Sequence, residues 1–369
     1  MERPIIKPLG TPVEELDSPS LIIDVDILDH NINTVHSFFK KQKATLRPNV
    51  EAHRTPAIAL KQIEAGGTSE GIAVSTIGQA EVFFSSGFKN ILILQPIIGQ
   101  NKIKRLCSIS KVADITVLVD NLSNVQEISK IANDNNSTIN LSVGIDCGKG
   151  VFGITNSKEA VNIIEKIQQS PSVTFQGIIG LQPDIIKSNN DESLKTVTKQ
   201  LKPLLDTLQI LDSKNIEIQS VAAGNTSSYD IVSQIEEITE VIAGKYAIMD
   251  LKLTNDHNEL NSAAQVLTTI TGIPEQGVII TDGGQKAIGA DLGEPTITKP
   301  LNLSMGGLSA EHGNVQDNDL KNQNLKIGDK IWVSPWDSGE CCNLHDYIHA
   351  IKDEKLIAIW EVSARGVYR

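Results

Sequence analysis

The sequence predicts an α/β fold: a (β/α)8 TIM-like barrel over residues 21–248, followed by a mainly β domain. Three observations carry this reading. From residue 45 to about residue 241, short apolar runs of strand length alternate with amphipathic stretches of helical length. Counted from the strand that ends near Val50, the alternation gives about eight β/α units, the number that closes a TIM barrel. After about Met249 the texture changes to strand-like runs joined by Gly- and Asn-rich turns, with few helical periods. A doubly wound sheet is the competing arrangement for the same alternation; the count favours the barrel.

Each element has a local reason. Residues 21–26 read as a strand, and Ile27, Leu28, Ile32, Val35, Phe38 and Phe39 follow at helical spacing. Residues 45–50 form the next strand. Thr55-Pro56 then opens a helix, with a hydroxyl at the N-cap and proline at the first helical position, and Gly66-Gly67 stops it. Residues 71–75 are a strand. Thr76 with Gln79 forms a capping box for a helix closed by Gly87. Further strands are expected at 90–94, 115–119, 139–146, 175–181, 216–222 and 240–241. Helices are expected at 160–167, 194–211 and 229–235. In the second part, strands are expected at 266–273, 277–281, 302–305, 330–333 and 356–362. Residues 1–20, rich in Pro and Gly, are expected to join residues 249–369 in the β domain.

Composition narrows the function. The 369 residues carry a net charge of −12, which argues against nucleic acid or an anionic membrane as partner. The first residues lack the apolar core of a signal peptide, and no run approaches the ~18 apolar residues of a membrane span. Cys107, Cys147, Cys341 and Cys342 make no disulfide framework at this length. These features describe a soluble, cytoplasmic protein with a small-molecule substrate. Glu51 and His53 sit at the carboxyl end of a strand, in a strand-to-helix loop, where α/β folds place chemistry. An acid and an imidazole two residues apart there form a candidate catalytic or metal-binding pair.

Several segments resemble the D-threonine aldolase and D-serine dehydratase family, fold-type III pyridoxal-phosphate enzymes similar to alanine racemase in their barrel domain. Residues 46–56 resemble its Arg-Pro-His-x-Lys-x-His-Lys-x-Pro motif. Residues 309–313 resemble its Glu-His-Gly segment, residues 335–346 its metal-binding segment, and residues 360–366 its C-terminal signature. The resemblance spans essentially the whole chain in order. It implies the barrel, the β domain, a lyase activity and a homodimer.

The departures concern the chemistry. The family's Schiff-base lysine aligns with Glu51, and a carboxylate cannot form an imine with an aldehyde. Any pyridoxal phosphate would therefore be bound without a covalent link to that position. The metal-ligand histidine aligns with Asp337, the second ligand with Gly339, an arginine with Val151 and a tyrosine with Asp184. Family geometry would bring Glu51, His53, His312 and Asp337 together. Glu51, His312 and Asp337 would then hold a divalent metal such as Mg²⁺, Mn²⁺ or Zn²⁺, with Glu51, His53 and Asp184 as the catalytic set. The bland alternative is a decayed pocket in which Glu51 pairs with Arg47 or Arg54. Gly224, Asn225, Thr226 and Ser227 follow the seventh barrel strand and are candidates for a phosphate loop, or for an ordinary capped turn. Cys341 and Cys342 are expected to be buried packing. Two functions follow: a divergent metal-assisted lyase acting on a small hydroxylated amino acid or hydroxy acid, or a non-catalytic homologue that keeps a small-molecule or phosphate site.

Overall fold

A computed structural model describes residues 7–187, 190–254, 257–322 and 324–369. The chain forms two compact units. One holds residues up to 34, 52–58 and 245–365; the other holds 35–51, 59–244 and 366–369. The chain opens with β1 (Ser20–Asp24) and α1 (Val25–Phe39), and the boundary between the units falls within α1.

The second-named unit is a parallel barrel. Its strands are β2 (Thr45–Pro48), β3 (Ile72–Val74), β4 (Asn90–Ile93), β5 (Asp114–Val119), β6 (Ile139–Asp146), β7 (Val173–Leu181), β8 (Ser220–Ala223) and β9 (Glu240–Ala243). Their order is β2-β9-β8-β7-β6-β5-β4-β3, so the first strand pairs with the last. The bridges Leu46↔Thr68 and Asn49↔Ala73 bring the other edge of β2 to the start of β3 and complete the ring. The eight barrel strands expected from the sequence are all present, and only short 3-10 turns follow the last of them. The barrel interior is apolar: Ala73, Leu92, Leu118, Ile179, Ala222 and Ile242 form one buried cluster. Mixed sizes suit inward positions that interdigitate in layers.

The connecting helices are α2 (Pro56–Glu64), α3 (Ile77–Ser85), α4 (Gln100–Ser110), α5 (Leu122–Asp134), α6 (Ser157–Gln169), α7 (Asn190–Gln200), α8 (Lys202–Ser213) and α9 (Tyr229–Val232). The capping box at Thr76 and Gln79 forms as read from the sequence. Thr55, by contrast, turns its hydroxyl back to donate to the carbonyl of His53. The single helix expected over 194–211 is two helices, because Pro203 begins a new one beside Leu201. The helix expected over 229–235 is a single turn.

The other unit holds β1 and the strands β10 (Ala264–Glu275), β11 (Val278–Thr281), β12 (Thr296–Lys299), β13 (Ser304–Leu308), β14 (Gly313–Gln316), β15 (Lys330–Ser334), β16 (Tyr347–Lys352) and β17 (Lys355–Glu361). Two short helices, α10 (Gln285–Ile288) and α11 (Ser338–Leu344), interrupt them. β1 runs antiparallel to β10 and parallel to β16, so residues 20–24 belong to this sheet and not to the barrel. Val13, Leu16, Ile22, Leu267, Ile351 and Leu356 pack on one of its faces. No helix among the described residues is long and apolar enough to cross a membrane.

One buried group in the barrel unit makes a pH prediction. His36, 1% exposed on α1, donates from Nδ1 to the Gly66 carbonyl at 2.7 Å. Burial, helped by Lys40, lowers its pKa from 6.5 to about 4. The imidazole is therefore neutral in the folded state, while the unfolded chain takes up a proton near pH 6.5. This contribution to stability is fully present above pH 6.5 and is lost as pH falls through about 4. The difference is worth about 3 kcal/mol. In denaturant titrations from pH 7 to pH 4, His36→Gln should flatten the acid limb of stability by that order. An unchanged acid limb would contradict the assignment.

Candidate functional site

The barrel unit places Glu51 in a 3-10 turn, Val50–Ala52, directly after β2. Asn49 caps this turn, its Oδ1 accepting from the Glu51 N–H at 3.1 Å. Ser75, the first residue after β3, donates from Oγ to Glu51 Oε2. Ser75 is itself held, because its N–H donates to Gln79 Oε1 at 2.8 Å, and Gln79 belongs to the α3 capping box. The capping signal visible in the sequence thus orients the hydroxyl that grips Glu51. Arg47 does not pair with Glu51; its Nε donates to Glu240 Oε2 at 2.8 Å. Asp184, after β7, is exposed.

The loop after β8 is closed on itself. Asn225 Oδ1 accepts from the Ser227 N–H at 2.9 Å and from the Ser227 hydroxyl at 2.7 Å. The Asn225 N–H donates to Ser228 Oγ at 3.3 Å, and the Ser228 N–H donates to the Asn225 carbonyl at 3.2 Å. The Ile185 N–H uses Ser227 Oγ at 2.9 Å. Thr226 is 3% exposed, and Ser227 and Ser228 are fully buried. A phosphate cradle needs N–H groups pointing at the anion. Here those of Asn225, Ser227 and Ser228 point at the protein's own oxygens, and the helix that follows is one turn long. Glu51 offers no amine for an imine, and these three N–H groups are taken by internal acceptors rather than turned to an anion.

The β-sheet unit that holds residues 245–365, here the second unit, has a polar cluster of its own. Lys245 Nζ donates to Asp250 Oδ2 and, at 2.7 Å, to Asp337 Oδ2. Asp250 Oδ1 accepts from the Ser338 N–H at 2.9 Å, and Asp337 Oδ1 caps α11 by accepting from the Glu340 N–H at 2.8 Å. Burial pulls the Lys245 ammonium down, but Asp250 and Asp337 outweigh it and hold its pKa above the usual lysine value. Burial pushes Asp337 up, and Lys245 outweighs that to hold it below the ordinary carboxylate range. Asp250, with no exposed side-chain surface, is pushed up by burial even with the ammonium against it. One ammonium serves two carboxylates, so both acids benefit unequally. Arg54, buried and with φ of 53°, donates from Nη1 to the Gly339 carbonyl. His53 is fully buried, with Nδ1 accepting from the Thr55 N–H at 3.1 Å.

Of the expected metal set, Glu51 lies in the barrel unit, and His312 and Asp337 lie in the other. His312 lies exposed between β13 and β14, and its N–H uses Ser309 Oγ. Asp337 is engaged by Lys245. Among the described residues, no group of three or more His, Cys, Asp or Glu side chains could hold a metal ion. The cysteines do not supply one: burial pushes the Cys342 thiol up to about 12 and Cys341 well above its ordinary value. Both are packed side chains, as expected. Lys245 is the functional candidate that sequence reading missed. Its one signal was a lysine at the end of the last barrel strand, followed five residues later by an aspartate.

Comparison with known proteins now defines the class. Residues 23–250 match the alanine racemase N-terminal domain, and residues 263–351 match a serine dehydratase domain. The chain belongs to the alanine racemase N-terminal domain family, in a two-domain form with a dehydratase-type second domain. It is 28% identical to a 3-hydroxy-D-aspartate aldolase of Paracoccus denitrificans, over 97% of this chain and 94% of that protein. It is 27% identical to a D-threonine aldolase of an Arthrobacter species, over 98% and 96% of the two chains. The fold is that of a D-threonine aldolase from Filomicrobium marinum, with a TM-score of 0.90 at 24% identity over 98% of this chain and 99% of that one.

Proposed function

We propose that the protein is a lyase acting on a small hydroxylated amino acid or hydroxy acid, without a pyridoxal phosphate carried on a lysine at position 51. The similarity of almost the whole chain to aldolases of that substrate class supports the reaction type. The observation that carries the mechanism is the Glu51 carboxylate, held by Ser75 at the mouth end of the first two barrel strands. As a base, a carboxylate there can take the hydroxyl proton while the carbon–carbon bond breaks to release an aldehyde, and return it to the carbon left beside the substrate carboxylate; for dehydration it can take the proton from that carbon and return it to the departing hydroxyl, which leaves as water. Ser75 fixes which oxygen faces away from the seryl hydroxyl. A metal held by Glu51, His312 and Asp337 has no support in the geometry of the second unit, where Asp337 serves Lys245. A homodimer without nucleic-acid or membrane partners, acting in the cytoplasm, completes the proposal.

The self-closed loop at Asn225 favours one second reading, a non-catalytic homologue that binds a small acid. One assay separates the two. Purified protein is incubated with D-threonine or 3-hydroxy-D-aspartate, with and without added pyridoxal phosphate. Glycine plus aldehyde reports carbon–carbon cleavage; ammonia plus an oxo acid reports dehydration. The lyase reading expects turnover that is independent of added cofactor and falls by roughly 10²–10³-fold in Glu51→Gln, the scale of lost general-base catalysis. Absence of turnover together with saturable binding of either compound would replace it with the binding reading.

A further inference from the structure

The segment 335–346, which resembles the family's metal-binding segment, is wired in this chain by the protein's own cations. Lys245 reaches it from just beyond β9, and Arg54 from the loop before α2. The contacts are saturated. Asp337 uses one carboxylate oxygen for Lys245 and the other for the cap of α11. Asp250 uses one for Lys245 and the other for the Ser338 N–H. Ser338 Oγ adds a bond to the Met249 carbonyl at 2.9 Å. Gly339, aligned with the second ligand position, offers no side chain and gives its carbonyl to Arg54. Asp250 and Ser338 have no exposed side-chain surface, and the Asp337 side chain is 17% exposed.

We propose that Lys245 is the resident cation of the Asp250–Asp337 pair, filling with its ammonium the place a divalent ion would take against those carboxylates. The juxtaposition has a chemical logic. Two carboxylates crowded in a partly dry site repel unless a cation sits between them. A divalent ion does this with hard oxygen ligands, whereas an ammonium does it as a point charge with three donors. An ammonium fixed by covalent attachment cannot be lost to a chelator, so the segment keeps its shape at any metal concentration. It also keeps a Lewis acid off this pair of carboxylates. The inference does not depend on the lyase reading, since its readout is melting temperature rather than turnover.

The test is thermal melting of the full chain with MnCl2 or MgCl2 against EDTA. Wild type should melt at the same temperature in all three, and elemental analysis of the purified protein should show no stoichiometric metal. Lys245→Met leaves the carboxylate pair without its counter-ion. It should melt lower in EDTA and recover several degrees in MnCl2, and adding Asp337→Asn should abolish the recovery. Lys245→Gln serves the same purpose if the methionine variant does not fold. A wild-type protein that gains several degrees in MnCl2, with the gain lost in Asp337→Asn, would overturn the proposal. So would a Lys245 variant indifferent to the metal.

Discussion

Gly244→Ala is expected to destabilise the barrel by about 3 kcal/mol or more, the upper range for forcing an extra carbon into a packed site. Gly244 follows β9, and its α-carbon lies against the backbone of Asn49, just after β2. A β-carbon at Gly244 would stand 1.8 Å from the Asn49 carbonyl oxygen and 2.7 Å from its carbonyl carbon. Backbone cannot rotate away as a side-chain end does, so β2 and β9 would have to separate. Their register runs from Thr45↔Glu240 to Pro48↔Ala243, and the Asn49 N–H extends it to the Ala243 carbonyl at 2.9 Å. Separation would break these bonds where the last strand meets the first, and would move the turn that presents Glu51. For a domain of this size the loss corresponds to roughly 10 °C in Tm. Gly272→Ala is the control, because its added β-carbon meets only Ile280, at 3.9 Å. Equal melting of the two variants would contradict the close approach.

Arg47→Met should cost a comparable amount, about 3–5 kcal/mol, because it leaves a buried carboxylate without its counter-ion. The side chains of Arg47 and Glu240 are 12% and 8% exposed. Arg47 also donates from Nη1 to Asn90 Oδ1 at 2.9 Å, tying β2 to β9 and to the start of β4. A methionine has a similar stem and no donors, so most of the loss is the stranded charge of Glu240. Arg47→Met with Glu240→Met should therefore recover most of the stability that Arg47→Met alone removes. Guanidinium unfolding of the three variants reads this directly. A single variant within 1 kcal/mol of wild type would show that the pair is hydrated and cheap.

The parts of this protein legible in its sequence are those set by local chemistry. Strand-length apolar runs, the Thr76–Gln79 capping box and Pro56 at a helix start are decided within a few residues, and the structure keeps them. The placement of Glu51 after a strand follows from the same local signals. The parts that were not legible depend on distant partners. Residues 21–26 read as a strand inside the span expected for the barrel domain, but Leu21 pairs with Val266 on one side and Ile348 on the other. Lys245 becomes a candidate only when Asp337, 92 residues away, is placed beside it. Asn225 reads as a turn residue in a small, phosphate-ready loop. Only the fold shows its side chain consuming the N–H and hydroxyl of Ser227. His53, two residues from Glu51 in sequence, is fully buried with its ring on its own turn, which no spacing rule reveals.

We propose that this chain does not carry pyridoxal phosphate as an imine at position 51, where Glu51 offers no amine. The most direct test is to saturate the purified protein with pyridoxal phosphate, reduce with borohydride and map the peptides by mass. The protein is expected to be colourless after dialysis, with no visible aldimine band and no pyridoxyl-modified lysine peptide. A stoichiometric pyridoxyl adduct on one lysine of the barrel unit, or on Lys245, would contradict the proposal.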